Sequence, residues 1–126
     1  MSYRIFISKL LGFSATNEGT NHWLKQRFSS ICLIPLTILF VFPLAQHIGH
    51  DYQEIMSLYQ NPFRSAIAFL FLFVTAIHLR QGLQVVIEDY IHSMVRKKTL
   101  LVCNTVLFIF FTSIAIYSFT KIVFST

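Results

Sequence analysis

Three long stretches of this chain are almost free of charge, and they constrain its fold more than any other feature. Each is close to the ~20 residues that an α-helix needs to cross the hydrocarbon core of a bilayer. Since 55% of the residues are hydrophobic and only 12% are charged, the composition is not that of a water-soluble globular domain. The sequence therefore predicts an all-α membrane protein whose three transmembrane helices cover about residues 27–47, 64–88 and 99–120.

A chain of 126 residues with three such spans has no room for a soluble domain. We expect a single membrane-anchor domain over residues 1–126, in which residues 1–24 form an N-terminal segment on the cytoplasmic side. Lys9 interrupts the first apolar run and leaves it too short for a signal peptide, so an amphipathic surface segment is the better interpretation. A loop is expected before the first span, at the polar and glycine positions Asn17, Gly19 and Asn21.

The distribution of basic residues predicts the orientation of the spans. Two clusters lie before the first span and in the loop after the second: Arg4, Lys9, Lys25 and Arg27, and then Arg96, Lys97 and Lys98. The positive-inside bias places both on the cytoplasmic side. Because these residues flank the spans, the net charge of +5 suits anionic lipid headgroups, and no nucleic-acid partner is expected.

The second span contains ionisable residues, which are costly in lipid and usually functional. His78 lies deep in this span, and Asp89 follows it eleven residues later. Eleven residues of α-helix rotate about 1100°, so the two residues share one face and lie ~16 Å apart along the axis. One stripe of the helix therefore carries a candidate metal ligand and a candidate proton-handling group.

Two roles for His78 stay open at this point. A structural histidine would donate a hydrogen bond to a carbonyl on a neighbouring helix. A neutral imidazole is also a good axial ligand for haem iron, and one histidine on each of two facing helices can hold a haem between them. The remaining histidines lie at or beyond the span ends: His22, His47, His50 and His92. A second axial ligand would therefore have to come from a partner chain.

Other polar and small residues near His78 also have two interpretations each. Gly82 lies on the face of His78, where a missing side chain admits a flat macrocycle or, more commonly, another helix. Arg27 can anchor the first span to headgroups or pair with the propionates of a haem. Asp89 and Tyr90 can be ordinary boundary residues, or can donate a hydrogen bond and relay protons to a quinone. Arg80 points to a different face and has no evident partner.

Two segments of the sequence resemble a known family. The first runs from Gly19 to Leu36 and contains the pairs His-Trp, Gln-Arg and Pro-Leu. The second runs from His78 to Tyr90 and contains Gly-Leu-Gln-Val-Val-Ile-Glu-Asp-Tyr, with the histidine eleven residues before the aspartate. Both are similar to the hydrophobic membrane anchor of succinate dehydrogenase (complex II), its small cytochrome b subunit, in the alphaproteobacterial and mitochondrial form. The third span is similar in hydrophobicity alone.

The resemblance implies a non-catalytic anchor of three helices, half of a six-helix bundle formed with a second, different anchor subunit. That bundle docks the flavoprotein and iron-sulfur subunits on a bacterial or mitochondrial inner membrane, with the N-terminus on the cytoplasmic or matrix side. The resemblance assigns His78 to the iron of haem b as an axial ligand and Arg27 to the haem propionates. It assigns Asp89 and Tyr90 to the ubiquinone site.

The chain departs from the family pattern at two places. Ser29-Ser30 stand where Thr-Ala is more usual, and Gln81 stands where an apolar residue is common. Neither departure is expected to touch a ligand position. Two other functions stay open: a structural or assembly membrane protein without a redox cofactor, and the anchor of a fumarate reductase.

Overall fold

The computed structural model describes the backbone of residues 18–125 and the side chains of residues 21–125. Four helices follow one another along the chain: α1 (Glu18–Gln46), α2 (Tyr52–Gln60), α3 (Pro62–Tyr90) and α4 (Met94–Phe124). Three of them, α1, α3 and α4, are long and apolar enough to cross a membrane. The prediction of an all-α protein with three spans is therefore confirmed. The surface segment expected near the N-terminus lies outside the described residues.

Helix α3 lies between the other two spans and packs against both of them. Towards α1, the rings of Phe40 and Phe71 stack with their centroids 4.6 Å apart. Towards α4, the ring of Phe69 meets that of Phe119 edge to face at 5.9 Å, and Phe73 lies 6.3 Å from Phe108. In both pairs of helices, residue numbers rise along one helix as they fall along the other. Neighbouring spans are therefore antiparallel, and α3 presents side chains to both neighbours.

The start of α3 is set by a local capping arrangement. The side chain of Asn61 accepts hydrogen bonds from the backbone N–H groups of Phe63 at 3.0 Å and Arg64 at 3.5 Å. Pro62 occupies the first turn, where its missing N–H leaves no intrahelical bond unmade. This cap fixes the register at which α3 enters the membrane, and hence the depth of every polar residue on it.

The first connection contains a short helix, α2, where the sequence predicts only a loop. The side chain of Leu58 is buried, and the ring of Tyr59 lies 6.3 Å from that of Phe40 at the end of α1. Burial raises the pKa of the Tyr59 hydroxyl above its usual value, and the nearby Arg64 partly offsets this rise. Helix α2 therefore covers the ends of the spans on the side opposite the basic clusters.

Two further expectations about helix ends are wrong. Gly19 and Asn21 belong to the first turns of α1 rather than to a loop. Arg96, Lys97 and Lys98 belong to the beginning of α4, since the connection after α3 comprises only residues 91–93. Charged side chains can remain helical here, because long lysine and arginine stems reach back to the headgroups.

The described residues enclose very little core. Among them, only two hydrophobic side chains are buried, Leu58 and Ala68. Three buried residues are polar: Ser29, Ser65 and Asn104. Large apolar side chains face outward along all three spans, as expected for surfaces that meet lipid or another membrane chain. Two of the buried polar residues, Ser29 and Asn104, make hydrogen bonds to α3 from α1 and α4 respectively.

Candidate functional site

His78 is held between helices by a hydrogen bond to a serine. Its Nδ1 atom lies 2.9 Å from the Oγ atom of Ser29 on α1. The sequence suggests a backbone carbonyl as the acceptor for a structural histidine, but the partner in the structure is a side-chain hydroxyl. The bond fixes the orientation of the imidazole ring relative to both helices.

Ser29 is the centre of a small polar cluster in an otherwise apolar interface. Its side chain is 5% exposed. Besides His78, its Oγ atom lies 2.8 Å from the carbonyl oxygen of Gln26 and 3.2 Å from Oε1 of Gln81. We call Gln26, Ser29, His78 and Gln81 the His78 cluster. Since a hydroxyl has one proton and two lone pairs, Ser29 can donate once and accept from the remaining neighbours.

The second ring nitrogen of His78, Nε2, makes no hydrogen bond to any described residue. Ligating histidines commonly use one ring nitrogen for the metal and hold the other in a hydrogen bond that fixes the ring. The described part of the chain has no group of three or more histidine, cysteine or acidic side chains that could enclose a metal ion. A single imidazole fits a haem, because the porphyrin itself supplies four nitrogen ligands and the protein adds only axial ones.

Gly82 lies one turn after His78 and faces α1. A methyl group placed on its Cα would come 3.7 Å from Nε2 of Gln26, which is an ordinary van der Waals contact. The side chain of Gln26 therefore lies over Gly82. This contact favours the helix-packing interpretation of Gly82, and it shows that packing against α1 does not itself require a glycine here.

Arg27 lies near the level of the His78 cluster but on a different side of α1. It precedes Ser29 by two residues, which corresponds to about 200° around the helix. Its guanidinium lies over the ring of Trp23, 5.0 Å from the centroid, and both side chains are exposed. No carboxylate lies within ion-pairing distance of Arg27 among residues 21–125. The structure thus presents Arg27 outward, available to a group that this chain does not supply.

Asp89 and Tyr90 are the last two residues of α3, and both are exposed. The side chain of Tyr90 is 77% exposed. Neither side chain makes a hydrogen bond within the described part of the chain. Twelve residues of α-helix separate Tyr90 from His78 by ~18 Å, so the structure does not bring the two candidate sites together.

Arg80, which has no evident partner in the sequence, contacts α4. Its guanidinium lies over the ring of Phe108, 5.3 Å from the centroid. Its backbone carbonyl accepts a hydrogen bond of 2.9 Å from the side-chain amide of Asn104. A cation over an aromatic face in a desolvated setting is stabilised by the negative face of the ring. Arg80 therefore contributes to the α3–α4 interface, whereas His78 contributes to the α1–α3 interface.

A groove of about 350 Å³ opens between α1 and α3 beside the His78 cluster. Its walls are formed by Leu24, Lys25, Phe28, Ser29, Cys32, Val74, Ile77 and Gln81. Most of these side chains are apolar, and two members of the cluster, Ser29 and Gln81, supply polar atoms. The expectation that Ser29 and Gln81 do not touch a candidate ligand position is wrong, because Ser29 contacts both His78 and Gln81 directly.

Comparison with known proteins identifies a family. Residues 2–115 match the model of the succinate dehydrogenase/fumarate reductase transmembrane subunit family. The succinate dehydrogenase membrane anchor subunit of Reclinomonas americana is 35% identical over 88 residues, which are 67% of this chain and 72% of that protein. The hydrophobic membrane anchor subunit of Paracoccus denitrificans is 30% identical over 90 residues, covering 71% and 70% of the two chains. The corresponding Rickettsia typhi subunit is 27% identical over 79% of this chain and 80% of its own length. No solved structure matches the chain significantly.

Proposed function

This chain belongs to the succinate dehydrogenase/fumarate reductase transmembrane subunit family, and we propose that it serves as the membrane anchor subunit of a succinate dehydrogenase. The named relatives are anchor subunits of that enzyme, and they cover most of this chain. Three apolar helices with almost no soluble structure between them suit an anchor better than a catalytic chain. The outward-facing apolar side chains offer surfaces for a second anchor subunit and for lipid. The basic segments offer a surface for the flavoprotein and iron-sulfur subunits.

The proposed role of His78 is to provide one axial ligand to haem b, shared with the second anchor subunit. The observation that carries this role is the arrangement of its ring: Nδ1 is held by Ser29, and Nε2 has no hydrogen-bond partner in the described part of the chain. Arg27 is exposed near the same level, where its planar guanidinium suits a propionate carboxylate. When bound, the haem would supply a one-electron store beside the path of electrons to the quinone.

Asp89 and Tyr90 would form this chain's part of the ubiquinone-reduction site. The phenol hydroxyl of Tyr90 can donate a hydrogen bond to a quinone carbonyl, and the Asp89 carboxylate can hold a proton next to it. Both side chains are exposed at the end of α3, on the side of the basic clusters. That side would face the cytoplasm or the mitochondrial matrix across an inner membrane.

A cofactor-free structural or assembly protein is the second candidate. The bond between Ser29 and His78 favours it to the extent that this bond alone joins α1 to α3. The two functions differ in one measurement, the visible spectrum of the complex purified with its neighbouring subunits. A sharp reduced α band of low-spin haem is expected for the anchor, and its absence from an intact complex would favour the structural protein.

The direction of turnover distinguishes the dehydrogenase from a fumarate reductase anchor, since the family includes both. Membranes containing the complex should reduce added ubiquinone with succinate as the donor. If they oxidise a quinol with fumarate and fail to reduce ubiquinone, the reductase is the correct assignment.

A further inference from the structure

We propose that Ser29 is a positioning residue that fixes both the ring orientation and the protonation pattern of His78, so that Nε2 carries the free lone pair. This inference rests on the proposed function, in which His78 is an axial ligand of haem. The sequence alone assigns Ser29 no role. It lies 49 positions from His78 along the chain, yet its Oγ atom is 2.9 Å from Nδ1 of the histidine.

The single proton of the Ser29 hydroxyl decides the arrangement. Three acceptors lie within reach: the carbonyl oxygen of Gln26 at 2.8 Å, Nδ1 of His78 at 2.9 Å and Oε1 of Gln81 at 3.2 Å. The carbonyl one turn earlier in the same helix is the usual acceptor for a serine in a membrane helix. It is also the nearest of the three.

If the hydroxyl donates to Gln26 or to Gln81, its oxygen must accept from His78. Nδ1 then carries the proton, and Nε2 is left with its lone pair in the plane of the ring. Two of the three possible arrangements therefore give the tautomer that a metal requires. The third would put the proton on Nε2 and block ligation, so the presence of nearby oxygen acceptors for the Ser29 proton favours a ligating histidine.

The hydrogen bond would also change the ligand strength of His78. An imidazole whose Nδ1–H is bonded to an acceptor donates more electron density through Nε2. Stronger donation stabilises ferric over ferrous iron, which lowers the reduction potential of the haem. Ser29 is 5% exposed, so water cannot readily replace its hydroxyl if that hydroxyl is removed.

The neighbouring serine provides a matched control. The Oγ atom of Ser30 donates to the same carbonyl oxygen of Gln26 at 2.9 Å, and it does not contact His78. Ser29→Ala and Ser30→Ala thus remove the same group from adjacent positions of α1, and each removes a bond to the same carbonyl. Only Ser29→Ala removes the acceptor of the histidine proton.

The experiment is a redox titration of the haem in the purified complex, using wild type, Ser29→Ala, Ser29→Thr and Ser30→Ala. Ser29→Ala should shift the ferric-to-ferrous ratio at a fixed potential towards ferrous by about two- to tenfold, and tenfold corresponds to ~59 mV for one electron. Ser29→Thr keeps a hydroxyl, so it should stay near wild type, as should Ser30→Ala. An unchanged potential in Ser29→Ala, or an equal shift in Ser30→Ala, would overturn the positioning role.

A second pair of variants covers failure of Ser29→Ala to assemble. Threonine and valine have the same shape and differ in one hydroxyl, and the groove beside Ser29 has room for the extra methyl group. Ser29→Val should show the higher potential and Ser29→Thr the wild-type value. Equal potentials in this pair would refute the inference while leaving His78 as a ligand. A wild-type complex with no haem would instead refute the proposed function itself.

Discussion

The side-chain amide of Asn104 on α4 donates a hydrogen bond of 2.9 Å to the backbone carbonyl of Arg80 on α3. Asn104 is 7% exposed, so this bond forms away from water and lipid. Arg80 follows His78 by two residues and meets the opposite neighbour of α3. Together with Ser29 on α1, Asn104 fixes the central span from both flanks at the level of the proposed haem ligand.

Replacing Asn104 with leucine should weaken the α3–α4 interface. Leucine has a similar size but lacks the donor to the Arg80 carbonyl. Hydrogen bonds between membrane helices contribute ~0.5–2 kcal/mol, and we expect a loss of that size. The measurement is SDS-induced unfolding of the chain in mixed micelles. Thr105→Val is the control, because the Thr105 hydroxyl donates within α4 to the carbonyl of Leu101 at 3.0 Å. Equal stability of the two variants would contradict the prediction.

The three spans are predictable from the sequence because hydropathy over some twenty residues is a local property. Helix α2 is not, since its nine residues are too few to cross a membrane and lie in a connection without a strong apolar pattern. Gly19 and Asn21 are polar or flexible residues, which favours a loop, but the strongly helical stretch after them extends α1 to include both. The charges of Arg96 to Lys98 likewise indicate a loop by composition, although they are compatible with the first turn of α4.

The candidate site is predictable only in part. His78 is identified by chemistry alone, because an imidazole deep in a span is unusual. Its contact with Ser29 depends on the register between α1 and α3, which is a tertiary property that no local pattern encodes. A serine in a membrane helix normally indicates close packing, so Ser29 carries no signal of its own. A useful signal is that Ser29 departs from the family pattern together with Gln81, its partner across the interface.

Removing the imidazole of His78 should abolish the low-spin haem signal. His78→Ala preserves α3, because alanine is the best helix former, but it leaves the iron without one axial ligand. The reduced α band of the assembled complex should disappear or change strongly. His47→Ala is the control: that histidine is bonded to the Pro43 carbonyl at 2.8 Å, at the far end of α1. An unaltered spectrum in His78→Ala would rule out the ligand role.

The ends of the chain should lie on opposite sides of the membrane. Three helices are long enough to cross it, while α2 has nine residues and reaches only ~14 Å. A topology reporter fused after Thr126 should therefore read out on the side opposite the N-terminus. A reporter placed in the connection at residues 91–93 should read out on the N-terminal side. A C-terminal reading on the same side as the N-terminus would show that one of the three helices does not cross.

The hydroxyl of Tyr90 should be required for quinone reduction and for nothing earlier in the electron path. Tyr90→Phe keeps the ring and its interfacial packing but leaves a quinone carbonyl without its donor, which costs roughly 1–3 kcal/mol. Since about 1.4 kcal/mol is a factor of ten, succinate-to-quinone activity should fall about tenfold through turnover, quinone affinity or both. Electron transfer from succinate to a soluble dye should stay near normal, because the flavin and clusters would lie on other chains.

Tyr52→Phe is the matched control for this measurement. Tyr52 begins α2 on the other side of the membrane, and it is 75% exposed where Tyr90 is 77% exposed. Both activities are measured on one membrane preparation with equal amounts of assembled complex. Loss of dye and quinone activity together in Tyr90→Phe would indicate failed docking of the catalytic subunits. If Tyr90→Phe behaves like Tyr52→Phe and loses neither activity, Tyr90 is an ordinary residue of the interfacial aromatic belt, since such a ring needs no hydroxyl partner to anchor the end of α3.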